Sequence, residues 1–180
     1  MTREADVRQA GAAARPPGRT VSPLADYLNS HLLRLTNGGE LARRIATQHA
    51  RSPAGLTLIR IADEVAQDRA ALLRIMGDLG VPARRYESLA GWLLEKAGRA
   101  RSNGFLARRT SLSSLLELEA LRRDVESTEG MWHALSTLSG PRAERLDPDQ
   151  LSALIARAQN QADTLESLRL PAATAILNQP

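Results

Sequence analysis

From residue 22 onward, apolar residues recur at intervals of three and four, the period of an α-helix with one buried face. At 100° per residue, Leu24, Tyr27, Leu28, His31, Leu35, Ala42, Ile45 and Ala46 share one face. Leu58, Ile61, Val65, Leu72, Leu73, Met76 and Leu79 form a second stripe, and Leu118, Leu121, Val125 and Trp132 a third. Leu151, Leu154, Ala158, Ala162 and Leu165 form a fourth. No run shows the strict alternation of a half-buried strand, so the pattern predicts an all-α chain.

Punctuation residues set the expected boundaries. Ser22-Pro23 reads as a helix start, with serine before the first turn, proline inside it and Asp26 following. Ser52-Pro53 and Asp147-Pro148 repeat the device, the latter with Gln150 at the capping-box position. Gly80 ahead of Val81-Pro82 reads as a stop and restart. These marks predict helices near 23–50, 53–79, 83–98, 111–138 and 148–169. Their lengths suggest two antiparallel hairpins, 23–79 and 111–169, joined by a long crossover that holds the short extra helix. The expected organisation is a disordered N-terminal tail over 1–21, a four-helix bundle domain over 22–170 and a C-terminal tail over 171–180.

Composition agrees with the helical pattern. The apolar fraction is an ordinary 43%, supplied by leucine and alanine, with only 3% aromatic residues. Cysteine is absent, which excludes disulfides, thiolate metal sites and thiol catalysis. The N-terminal stretch has no continuous apolar region and carries Glu4 and Asp6, unlike a signal peptide. No apolar run approaches the roughly 20 residues that span a bilayer. A cytoplasmic location is the expectation. The net charge of +4 is unevenly spread. Residues 96–109 carry Lys96, Arg99, Arg101, Arg108 and Arg109 and no acid, making them the candidate anion-binding segment for nucleic acid or lipid head groups. No nucleic-acid-binding motif accompanies them, and a plain surface loop is the simpler reading.

Few polar residues disturb the apolar stripes. Glu119, Arg122, Glu126, Glu129 and His133 line one side of the helix near 111–138. A solvated face explains them, with Arg122 bridging Glu119 and Glu126; a carboxylate–histidine cluster is the sharper alternative. Candidate metal ligands are therefore Glu126, Glu129 and His133, with Glu64 and Asp68 from the second helix. Arg69 falls within the second apolar stripe, where it needs a partner, and Glu119 or Glu126 are candidates. His31 and His49 stand about 27 Å apart along one helix and cannot share a metal, so both read as core histidines. Glu40 lies opposite its helix's stripe, toward solvent. Asn37-Gly38-Gly39 would either kink the first helix or admit a close neighbour. No phosphate-binding loop, dinucleotide fingerprint, nucleophile elbow or zinc-protease helix is present, so no catalytic or cofactor-binding residue is predicted.

The runs ELARRIATQHARSPAG (Glu40 to Gly55), IADEVAQDRAALLRIMGDLGV (Ile61 to Val81) and EKAGRARSNGFLARRTSLSSLLELEAL (Glu95 to Leu121) resemble small ferritin-like bundle proteins of GC-rich bacteria. The resemblance covers about residues 23–138 and implies the bundle architecture without an activity. Di-iron members of that fold carry Glu-x-x-His on two helices, and this chain has neither pair, so iron chemistry does not follow from the resemblance. Three functions remain as expectations. A non-catalytic bundle acting through protein association, or with itself, comes first. A metal-binding ferritin-like protein and an anionic-surface binder through 96–109 are the alternatives.

Overall fold

The computed structural model describes residues 22–84 and 111–178, and the secondary structure of these residues is helical. The predicted tail 1–21, most of the predicted helix 83–98 and the basic segment 96–109 lie outside the described residues. Helix α1 runs Pro23–Gln48, α2 Gly55–Asp78, α3 Ser111–Ser136 and α4 Pro148–Leu177, with a 3₁₀ turn over Gly140–Arg145 before α4.

Local chemistry sets each boundary. Asp147 caps α4 as expected: its Oδ1 accepts the backbone N–H of Asp149 at 2.9 Å and of Gln150 at 3.2 Å. Ser22 precedes α1 without a side-chain cap, leaving Pro23 and the acidic Asp26 as the start signals. Ser52 does not start α2. Its N–H and Oγ both donate to the His49 carbonyl at 2.8 Å, which builds the interhelical turn, and α2 begins at Gly55. Only a glycine fits there, because a Cβ would sit 2.7 Å from the Ala50 carbonyl oxygen. At the other end of α2, Gly80 takes φ +68°. Gly80 N–H donates to Gly77 O and Val81 N–H to Met76 O, the paired bonds of a Schellman stop. Pro82, Ala83 and Arg84 then continue as irregular chain.

The predicted C-terminal tail over 171–180 requires correction, since α4 continues through Pro171 to Leu177. A proline deletes one backbone hydrogen bond without obliging the helix to end, and the residues that follow, Ala172 to Leu177, are mostly strong helix formers.

The helices pack in three close pairs, α1 on α2, α3 on α4 and α1 on α3. Arg44 pairs with Glu117 and Arg34 with Asp124, so α1 and α3 run in opposite directions. Arg169 near the end of α4 pairs with Glu119 near the start of α3, giving the same antiparallel sense. The starts of α2 and α3 and the ends of α1 and α4 therefore gather at one end of the molecule. Between the helices lies one apolar core with Leu28, Ile45, Ile61, Leu72, Ile75, Met76, Leu121, Met131, Trp132 and Leu165 at its centre. The predicted stripes of α3 and α4 are buried throughout, whereas Tyr27 of the α1 stripe is exposed. Gly38 and Gly39 leave α1 continuous and are both buried. A Cβ at Gly38 would lie 3.4 Å from Asp124 Oδ2, an ordinary van der Waals contact with α3.

Candidate functional site

Among the described residues, the buried polar side chains Asp68, Gln161 and Thr128 gather in one region of the core, and a fourth, Asn29, lies apart near the start of α1. Asp68 projects from the apolar stripe of α2, four residues before Leu72 and seven after Ile61, and is 1% exposed. Its carboxylate accepts the Arg157 guanidinium of α4 through Nε at 3.0 Å and through Nη2, and accepts Gln161 Nε2 at 3.1 Å. Gln161 is as buried as Asp68. Arg157 reaches inward along its stem, remains 27% exposed, and also donates to Gln67 Oε1 at 3.2 Å. Across a small void lie Asp124 and Thr128 of α3 and Gly38 of α1, with apolar walls of Leu35, Val65, Leu121 and Val125. The void has room for about one water molecule.

Burial decides the electrostatics of both carboxyls. Desolvation raises the Asp68 pKa above the ordinary value; Arg157 and Gln161 pull it down and Glu64 adds to the rise, and burial prevails. Asp124 is raised for the same first reason, against the pull of Arg34 and Arg123. The Arg157 charge is spent on Asp68, and Asp68 is sealed from solvent. This arrangement ties α4 to α2.

The polar line on α3 faces α4. Arg122 pairs with Glu126 at 2.9 Å, as its spacing suggested, and with Glu166 of α4 at 3.4 Å. Glu119 is met instead by Arg169, which also grips Glu166 through two bonds of 2.8 Å. That grip, above all the hydrogen bonds from Arg169, holds the Glu166 carboxyl below its usual range. Glu129 accepts Gln159 Nε2 at 2.9 Å and lies 3.6 Å from His133 Nε2.

The candidate metal ligands are thus dispersed. Glu126 belongs to Arg122, Glu129 to Gln159 and His133, Glu64 to Arg60 at 2.6 Å, and Asp68 to Arg157. Among the described residues no three His, Asp or Glu side chains stand close enough to share a metal ion. The candidate anion-binding residues Lys96, Arg99, Arg101, Arg108 and Arg109 lie outside the described residues.

The buried charge on α2 is Asp68, which sequence reasoning did not single out as a core residue; Arg69 beside it is only half-buried. Arg69 faces α1, where its Nε donates to Thr36 Oγ1 at 2.9 Å, while Glu119 and Glu126 are engaged at the α3–α4 seam. The signal for Asp68 was present, since it completes the spacing Ile61, Val65, Asp68, Leu72, Ile75. Asn29 was also missed. It is 1% exposed and clamps the chain after α2, donating to Pro82 O at 3.2 Å and accepting Arg84 N–H at 2.7 Å. His31 is half-buried against the Tyr27 ring at 4.6 Å, and burial and the nearby Arg34 lower its pKa. His49 closes α1 as its C-cap. Glu40 is exposed and pairs with Arg43.

The surface carries a few large apolar side chains. Leu56 is 84% and Leu177 69% exposed, and Ile59, Leu116 and Leu170 are exposed as well. These five belong to the end of the molecule where α2 and α3 start and α4 finishes, and the exposed Tyr27 belongs to the opposite end. Among the described residues no helix is long and apolar enough to cross a membrane. Comparisons with protein-family models, with curated proteins and with solved structures found no match.

Proposed function

We propose that this chain is a non-catalytic four-helix bundle of ferritin-like connectivity that works by binding other protein chains. The connectivity rests on two antiparallel hairpins whose joining segment must lead from the end of α2 to the start of α3, at the opposite end of the molecule. The observation that carries the association reading is the set Leu56, Ile59, Leu116, Leu170 and Leu177, left in solvent at one end while the interior is filled. Exposed apolar side chains gathered in one region mark contact surfaces more often than a scattered few do. The metal-binding alternative has weaker support, because among the described residues no three His, Asp or Glu side chains stand close enough to share a metal ion.

Photo-cross-linking in cells tests the reading. A photoreactive residue at Leu56 is expected to give a discrete protein adduct, and the same residue at exposed Glu144, near the opposite end, is expected to give none. Equal, diffuse labelling from both positions would overturn the assignment of a contact surface.

A further inference from the structure

Helices α2 and α4 are not among the closely packed pairs, and Arg157 and Gln161 bridge them by reaching to Asp68. An open groove separates them above these bonds, lined by Gln67, Ala70, Ala71, Arg74, Ala153 and Leu154. The outer face of α2 along this groove presents Leu56, Ile59, Asp63, Gln67, Ala70 and Arg74, all exposed and spaced by three or four residues. That spacing makes them one continuous stripe. Asp63 and Arg74 stand eleven residues apart on it, too far to meet, and neither has an ion-pair partner among the described residues.

Between Asp63 and Arg74 the stripe is complementary to itself in an antiparallel register that leaves Ile59 opposite Asp78 and Leu56 opposite Val81. If a second α2 is laid against it in the opposite direction, with the twofold axis passing between Gln67 and Ala70, Asp63 of each copy meets Arg74 of the other. The same operation sets Gln67 against Ala70, whose small side chain lets the axes approach. An isologous contact needs this kind of patch, in which each residue finds its complement on an identical surface. We propose that a second copy of this chain docks on the α2–α4 face, antiparallel α2 against α2, with two symmetric Asp63–Arg74 ion pairs fixing the register. The proposal rests on the association reading and names its partner.

Sedimentation equilibrium of the full chain over a wide concentration range tests it. A reversible dimer is expected, weakened about tenfold or more by Arg74→Glu or Asp63→Arg, since each places like charges together twice. Combining the two restores it, because the reversed charges again face each other. The milder Asp63→Asn and Arg74→Gln variants fall between wild type and the reversals. All these positions are exposed, so unchanged thermal melts verify folding of each variant. A chain that stays monomeric, single reversals that dimerise like wild type, or a double variant no better than the singles would overturn the proposal. A monomer that still forms a Leu56 adduct with a different protein would remove the second copy and keep the association reading. A monomer without an adduct would remove both.

Discussion

Replacing Arg157 by alanine should leave Asp68 buried without its counter-charge, and the cost should depend on pH. Removing one member of a buried ion pair costs about 3–5 kcal/mol. Here the figure falls, because Arg157 is 27% exposed and Gln161 still donates to Asp68, so about 2–3 kcal/mol is expected near neutral pH. The sign of the pH effect follows from the direction of the shift. Asp68 is raised in the folded protein, so the fold favours its neutral form. The stabilisation this gives is fully present below the ordinary carboxyl value of 3.8 and is lost as pH rises through the higher folded value. Arg157→Ala removes the largest opposing influence and raises that value further. The defect should therefore be largest near neutral pH and shrink as Asp68 takes up a proton. Urea unfolding of wild type and Arg157→Ala in steps from pH 7.5 down to the ordinary carboxyl value of 3.8 measures it. A loss below about 0.5 kcal/mol near neutral pH, or the same loss across the whole range, would refute the buried-pair account. The triple replacement Asp68→Leu, Arg157→Met and Gln161→Leu should stay within about 1 kcal/mol of wild type or exceed it, since apolar residues can fill such a site without a desolvation cost and no buried amide is left without its acceptor.

Three further outcomes concern the helix ends. Gly55→Ala should destabilise by about 1–3 kcal/mol in thermal or urea unfolding, because its Cβ would press on the Ala50 and His49 carbonyls and the turn would have to move. Asp147→Ala should cost about 1 kcal/mol through the two backbone N–H groups it leaves unsatisfied at the start of α4. Pro171→Ala should stabilise the last turns of α4 by up to about 3 kcal/mol, seen as slower amide hydrogen exchange over 172–177.

Apolar periodicity alone makes the helices and most of the core legible in the sequence, because burial on one face imposes a 3.6-residue repeat. Leu118, Leu121, Val125 and Trp132 are all buried, as their spacing required. The same logic fails where a polar residue occupies a core position. Arg69 is the larger and more conspicuous side chain, yet one helical step separates it from Asp68, and which of the two points inward depends on where α1 and α4 sit. The spacing Ile61, Val65, Asp68, Leu72, Ile75 puts Asp68 on the core face, but its partners Arg157 and Gln161, which follow it by 89 and 93 residues along the chain, are visible only in the fold. Ser52-Pro53 misleads for a local reason: the Ser52 side chain bonds back to the His49 carbonyl and caps no N–H of α2. Pro171 misleads because proline weakens a helix without ending it. That Asp63 and Arg74 have no ion-pair partner among the described residues is visible only in the folded chain.

Native mass spectrometry of the untagged chain, taken from its own cells under non-denaturing conditions, tests the central claim most directly. The account predicts complexes heavier than a single chain, with the added mass made up of whole protein chains. A single chain carrying a stoichiometric metal ion would contradict it and return Glu126, Glu129 and His133 to first place as ligands.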